Sequence, residues 1–299
     1  MSGRSGGDRR RLRWAQFLLL AFAGFSIASA RAAGTVNVLY AGSLQNLMER
    51  SVGPAFDTAS GVHFRGYAGG SKLLANEIKG RQRRADVFIS AVPKVNKSLM
   101  GSANGDWVNW YASFAQSPLV IGYNPSGRFA NDFKSRPWVK VLTEPGIRIG
   151  RTDPRLDPKG ELTITLMKQA EGFYKIPGLF KQVLGAPENP QQVLPEETLV
   201  GRLQSGQLDA GFFYSTETSD AKIPAITLPT QIAPKAVYTI TIPHDAPNPD
   251  GARQFVTFLL GAQGRTLMKE HGMALRKPMV SGNASAAPPD IRSLVDKAK

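Results

Sequence analysis

The sequence predicts an α/β protein built around a parallel sheet. Over residues 35–90, apolar runs of strand length alternate with helical patterns in the order strand, helix, strand, helix, strand. The joints are short, and two carry a Gly-Ser pair straight after an apolar run, Ala41-Gly42-Ser43 and Ala68-Gly69-Gly70-Ser71. The alternation returns around residues 147–173 and 195–214, so strands leave one βα cluster for another and come back. That pattern predicts two lobes with a cleft between them, the first lobe discontinuous in sequence.

Taken in order, strand 35–40 feeds a helix in which Leu44, Leu47 and Met48 recur at helical spacing, and Gly61 ends the unit. Strand 62–67 follows. The helix from Ser71 buries Leu73, Leu74 and Ile78 and stops at Gly80, and Gln82-Arg83-Arg84 leads into strand 85–90. Strand 118–123 ends at Asn124-Pro125-Ser126-Gly127. Trp138, Val141 and Leu142 predict a short helix before Pro145. Strand 147–150 enters a loop over 151–160, and the next helix carries Leu162, Thr165, Leu166, Ala170 and Phe173. A Pro/Gly/Gln-rich connection covers 187–193. Residues 195–206 read as a helix with Glu196 and Glu197 in its first turn, followed by strand 208–214. Residues 226–228 and 238–242 are further strands, and 250–260 and 261–271 are helices. The stretch 281–299, with its alanines and Pro288-Pro289, reads as a loose tail or a short terminal helix.

The 299 residues contain no cysteine, which excludes disulfides, thiolate metal sites, a cysteine nucleophile and a lipid-modified N-terminal cysteine. Residues 1–32 read as a signal peptide: Arg4, the Arg9-Arg10-Arg11 run and Arg13, then an apolar stretch centred on Leu18-Leu19-Leu20, then the small-x-small pair of sites around Ala28, Ala30 and Ala32. Its apolar run is shorter than the roughly 20 residues a membrane-spanning helix needs. Removing six arginines and one aspartate with this segment lowers the net charge from +14 to about +9. The product is expected to be exported and basic, with no basic-aromatic motif for nucleic acid. His63, His244 and His271 lack metal-ligand spacing, and no Ser-His-Asp arrangement can be placed, so enzyme chemistry is not expected. Trp107, Trp110 and Tyr111 would suit a sugar platform but read first as core.

The two Gly-Ser turns carry the functional reading. Glycine permits a tight turn and a close approach to the backbone, and serine stands where a helix N-cap belongs. A helix N-terminus offers free N–H donors and partial positive charge, so two of them in neighbouring βα units face one small anion. Either serine alone reads as an ordinary cap; the pair points to a ligand. Lys72, next to Ser71, is expected in solvent.

These turns, together with Ala85-Asp86-Val87-Phe88-Ile89-Ser90-Ala91, Asp157-Pro158-Lys159-Gly160 and Leu203-Gln204-Ser205-Gly206-Gln207-Leu208-Asp209, form one ordered pattern. In that pattern the chain resembles the molybdate/tungstate-binding proteins of ABC importers, and among them the tungstate/molybdate branch, over roughly residues 35–280. The resemblance implies a two-lobed type II periplasmic-binding-protein fold with a central ligand cleft. Lobe 1 would hold residues 33–122 plus 238–285 and lobe 2 residues 123–237, with 286–299 a C-terminal tail. It implies that Ser43, Ser71 and Tyr214 donate hydrogen bonds to the oxyanion, and that Asp157 and Glu196 act directly on its molybdenum or tungsten centre. Asp153 and Glu197 stand close to these two carboxylates in sequence. It implies further a monomer without a cofactor, a membrane permease as partner, and a periplasmic location.

Two carboxylates beside an oxyanion pose a chemical problem, since both parties have only acceptors when ionised. A protonated carboxyl, a protonated ligand such as hydrogen phosphate, or carboxylate oxygens completing six-coordination of the central metal each resolve it. The resemblance implies the third. Read without it, Glu196 complements its helix N-terminus and Asp157 makes an Asx-Pro turn. Phosphate, sulfate, a small organic anion, or an exported enzyme on the same scaffold then remain alternatives.

Overall fold

Nine strands frame the protein in the computed structural model, which describes residues 34–297; the signal peptide expected at 1–32 lies outside the described residues. Strand β1 (Thr35–Ala41) pairs in parallel with β2 (His63–Gly69) on one side and β3 (Val87–Ser90) on the other. Between β1 and β2 the chain is helical throughout: a 3-10 turn at Gly42–Leu44, α1 (Gln45–Leu47), a π-helical segment Met48–Val52, and α2 (Gly53–Ser60). Helix α3 (Ser71–Lys79) links β2 to β3 and buries Leu74, Ala75 and Ile78 on one face. Every residue of β3 is buried, as expected for a central strand covered on both faces. The strand-helix-strand-helix-strand reading of residues 35–90 therefore holds.

After α4 (Pro93–Lys97) comes β4 (Trp110–Tyr123), a 14-residue strand that belongs to two parts of the sheet. Its first half pairs antiparallel with β8 (Lys235–Thr241) and β9 (Ala274–Gly282), and its second half with β6 (Ala210–Tyr214) and β7 (Ala225–Thr227). The partners change at Pro118, which faces Lys235, while Leu119 faces Tyr214. Proline has no N–H to give a ladder, so the exchange falls where a donor is missing. The expected strand 118–123 is thus only the second half of β4. Trp110 and Tyr111 lie in its buried first half rather than on a sugar-binding face.

The other elements are α5 (Ala130–Ser135), α6 (Trp138–Val141), β5 (Ile149–Gly150), α7 (Pro158–Phe173), α8 (Leu179–Leu184), a 3-10 turn Glu196–Thr198, α9 (Leu199–Gln204), α10 (Ser215–Asp220), α11 (Pro249–Leu260), α12 (Ala262–Glu270) and α13 (Pro289–Lys297). Strand β5 runs parallel to β6. The sheet order is β2-β1-β3-β8-β4-β6-β5, with β7 and β9 also on β4. Strand β9 was not expected, because Arg276, Lys277 and Pro278 interrupt its apolar pattern; its register jumps from Ser113↔Met279 to Ala115↔Leu275 across them. Of the two readings of the last stretch, the terminal helix is the observed one, and Ile291 of α13 is fully buried.

Asp86 shows how loops bind the frame. It is fully buried just before β3 and accepts from the main-chain and side-chain nitrogens of Asn37 in β1 at 2.7 and 2.9 Å. Its other oxygen accepts from the N–H of Asn248, whose own side chain caps α11 at Gly251. Asp86→Ala strands three donors, and we expect it to lower the unfolding free energy in urea by about 3 kcal/mol. A loss below about 1 kcal/mol would mean that these contacts do not tie α11 to β1.

Candidate functional site

The carboxyl ends of parallel strands at a change of strand order are where open α/β sheets bind ligands. Here the ends of β1 and β2 supply the turns at Gly42-Ser43 and Gly70-Ser71, β5 leads to the Asp157 loop, and β6 ends at Tyr214. These four ends meet. The main-chain N–H of Ser71 donates to Asp157 Oδ2 at 3.3 Å. A Cβ added to Gly70 would lie 2.7 Å from the carbonyl oxygen of Leu156, and one added to Gly42 would lie 2.8 Å from Glu196 Oε2. Only glycine allows both approaches.

Neither serine caps a helix, contrary to the sequence reading. Ala41 and Gly70 occupy the N-cap positions and no side chain closes either helix end. Ser43 Oγ instead lies 3.1 Å from Tyr238 Oη. Ser71 is fully buried, and its Oγ accepts from the N–H of Ala91 at 3.1 Å. That leaves the Ser71 hydroxyl proton without an acceptor among the described residues. Tyr214 is fully buried and its Oη has no hydrogen-bond partner among them either.

Across the site, Asp157 does cap α7. Its Oδ1 accepts from the N–H of Lys159 at 2.8 Å and from Thr152 Oγ1 at 3.0 Å. Pro158 takes the first helical position, where its missing N–H costs nothing. Glu196 is delivered by the 187–193 connection, which is held by fully buried Arg151. The Arg151 guanidinium donates to the carbonyls of Ala186 and Pro187 at 2.7 and 2.6 Å and to Gln192 Oε1 at 2.9 Å. Glu196 is buried while Glu197 is exposed, and Asp153 is tied to Arg155 at 2.6 Å instead of facing Asp157 and Glu196.

The structure therefore brings Ser43, Ser71, Asp157, Glu196 and Tyr214 together, and adds residues that sequence reasoning passed over. Chief among them is Lys159, fully buried, with Nζ 2.8 Å from Glu217 Oε1 and 3.2 Å from Glu196 Oε1. Glu217 uses its other oxygen to accept from the N–H of Tyr214 at 2.7 Å. Lys159 stood in the Asp-Pro-Lys-Gly run, but nothing local marks it as buried. Tyr238 gave no signal at all. Lys72, expected in solvent, instead pairs with Glu161 at 2.6 Å and lies outside the cluster. Two cavities flank Glu196. One, of about 400 Å³, is lined by Gly42, Ser43, Arg50, Glu217 and Asp220; the other, of about 250 Å³, by Tyr67, Gly70, Leu73, Leu156 and Asp157.

The fold also assembles a trio that the sequence did not disclose: Ser51 Oγ lies 2.8 Å from His271 Nε2, and His271 Nδ1 lies 2.7 Å from Asp220 Oδ1. Ser51 sits inside the π-helical segment, where neighbouring N–H groups are committed to the helix. It thus lacks the paired donors that an oxyanion intermediate requires.

Electrostatically the cluster is three carboxyls around one ammonium. Burial and the nearby Glu196 push Asp157 up to about 7, against the opposing pull of Lys159 and of its hydrogen bonds. Glu196 and Glu217 are also raised by burial, with Lys159 acting in the other direction. Burial lowers Lys159, but Glu217, Glu196 and Asp157 outweigh it and hold the ammonium above the usual lysine range. Burial and the same carboxylates keep the Tyr214 hydroxyl protonated. The site thus sets buried hydroxyl groups beside buried carboxyl groups and one buried ammonium.

Comparison with known proteins bears on the family and the fold. The profile described as "Bacterial extracellular solute-binding protein" matches residues 36–274. An uncharacterized solute-binding protein of Petrotoga mobilis is 30% identical over 88% of this chain and 90% of its own length. The molybdate/tungstate-binding protein WtpA of Thermococcus kodakarensis is 26% identical over 79% of this chain and 78% of its own. Among solved structures, the periplasmic molybdate-binding protein of Azotobacter vinelandii superposes with a TM-score of 0.62 at 20% identity, covering 81% of this chain and 99% of its own, which shows a shared fold.

Two outcomes follow from the geometry. Gly42→Ala drives a methyl group into the Glu196 carboxylate, and thermal melts should show a stability loss of about 1–3 kcal/mol. Asp157 has a folded pKa near 7, above the ordinary carboxylate value, so the folded chain binds a proton that the unfolded chain lacks between about pH 4 and 7. Its contribution is fully present below that window and is lost as pH rises through it. The stability of ligand-free wild type relative to Asp157→Asn should therefore fall by on the order of 3 kcal/mol from pH 4.5 to 7.5. A difference independent of pH contradicts this.

Proposed function

The chain belongs to the bacterial extracellular solute-binding proteins, which bind their ligands without transforming them, and from that premise we propose that it captures molybdate or tungstate and delivers it to the permease of an ABC importer. The observation that carries this reading is the pair of buried hydroxyls, Ser71 and Tyr214, with protons to donate, placed beside the buried carboxylates of Asp157 and Glu196. The hydroxyls, with Ser43, hold the oxygens of a tetraoxyanion. Asp157 and Glu196 extend the coordination of its central metal, which removes the conflict of acceptor facing acceptor. Similarity to the Thermococcus molybdate/tungstate-binding protein supports the same ligand class.

In this reading residues 33–122 plus 238–285 form one lobe and 123–237 the other. Ligand binding favours the closed arrangement by hinge motion. The turns at Ser43 and Ser71 come from the first lobe, and Asp157, Glu196 and Tyr214 from the second, so the ligand bridges them. The segment 1–32 acts as the export signal. The elevated pKa of Asp157 supports a second reading, in which a protonated anion such as hydrogen phosphate donates to the carboxylates.

A ligand panel separates the two. The melting temperature of the protein should rise with molybdate or tungstate and not with sulfate; a ligand at a hundredfold excess over its Kd stabilises by about 2.7 kcal/mol. A shift with phosphate alone selects the second reading, and no shift with either metal oxyanion removes the first. Tyr214→Phe is the sharper probe. The phenol oxygen has no hydrogen-bond partner among the described residues, so its removal should leave ligand-free stability within about 0.5 kcal/mol. Molybdate binding should weaken about tenfold, or ~1.4 kcal/mol.

A further inference from the structure

We propose that Lys159 is the specificity-determining cation of this site: its ammonium, paired with the Glu196 carboxylate that borders both cavities, lets a doubly charged oxyanion settle beside the buried carboxyls of Asp157, Glu196 and Glu217. The inference rests on the oxyanion reading above. Four ionisable side chains, Asp157, Lys159, Glu196 and Glu217, are buried together, and among them Lys159 alone is positive. Of its three N–H groups, one donates to Glu217 and one faces Glu196. The third has no acceptor among the described residues and is free for an anion oxygen.

A purely structural lysine would not need this placement. Glu217 is already fixed by the Tyr214 N–H and by its own helix, and Asp157 by Thr152 and the turn of α7. Glu196 is different. Beyond the Lys159 ion pair, it makes no hydrogen bond of good geometry, and it borders both cavities. Lys159 thus neutralises the carboxylate that stands where a ligand arrives. Coulomb interaction scales with ligand charge, so losing this cation penalises a dianion about twice as much as a monoanion of the same size. Loss of packing or foldedness would penalise both alike.

Molybdate and perrhenate provide the comparison, a dianion and a monoanion that are both metal-centred tetraoxyanions. Affinities are measured by calorimetry for wild type, Glu217→Gln, and Lys159→Met combined with Glu217→Gln, the last arranged so that no Glu217 carboxylate is left unpaired. The double variant should lose at least tenfold in the molybdate-to-perrhenate affinity ratio relative to Glu217→Gln. An equal weakening of both ligands, or no weakening, overturns the proposal and leaves Lys159 a structural residue. Should the double variant fail to show a cooperative melt, Lys159→Arg, which keeps the charge, decides. The proposal expects its ratio to stay within about threefold of wild type, and a tenfold fall overturns it. Failure of the underlying reading looks different: wild type then binds neither anion, and the inference falls with it.

Discussion

One buried ammonium shared between two carboxylates constrains the whole cluster of candidate site residues. Lys159 occupies the first turn of α7, Glu196 the first turn of a 3-10 segment, and Glu217 the first turn of α10. Three helix starts are therefore packed around one charge. An acidic residue is favoured at a helix N-terminus and a basic one is not, so Lys159 stands against the local dipole. It is kept charged there only by Glu217, Glu196 and Asp157. Buried ion pairs seldom add net stability over apolar residues of the same volume, because desolvation offsets the attraction. Such a cluster makes more sense as a device for handling charge than as a device for holding the fold.

The frame that positions it is simpler. Strand β4 runs through both parts of the sheet and exchanges partners at Pro118, where a ladder donor is missing. That exchange sets Leu119 opposite Tyr214, so the register of one strand fixes where the phenol ends. On the other side, β1 and β2 are in parallel register from Thr35↔His63 to Ala41↔Gly69, which brings both Gly-Ser turns to the same edge. The turns need glycine because the opposing loop arrives at the backbone itself, Leu156 against Gly70 and Glu196 against Gly42.

Most of the regular structure was legible because it is written locally: apolar periodicity, Gly61 and Gly80 as stops, Pro158 as a start. What failed was non-local. Strand β9 is paired across 166 residues of chain, from Met279 to Ser113 in the buried first half of β4, and its charged and proline residues are tolerated because the ladder skips them. The serines were read as caps from their sequence position, yet Ala41 and Gly70 take that role, and the hydroxyls are diverted to Tyr238 and to Ala91 N–H, contacts 195 and 20 residues apart. The five ligand-facing candidates do come together, but Lys159, the residue that sets their charge, was visible only as a letter in a motif.

The chemistry of release sharpens this picture. A carrier must hold its cargo tightly and then surrender it, so an anion site lined with unshared cations would bind at the expense of delivery. Here Lys159, the buried cation of this cluster among the described residues, is already engaged by Glu217 and Glu196. On the proposed reading, an arriving oxyanion draws on an ammonium whose charge is largely answered, and its remaining contacts come from neutral hydroxyls. In the same reading, once those hydroxyls separate as the lobes part, the carboxylates lose the metal centre and face the anion's oxygens, which they repel. On that reading, attraction from Lys159 and repulsion from uncoordinated Glu196 and Asp157 act on the same ligand, and the contacts made as the two lobes close decide which one prevails.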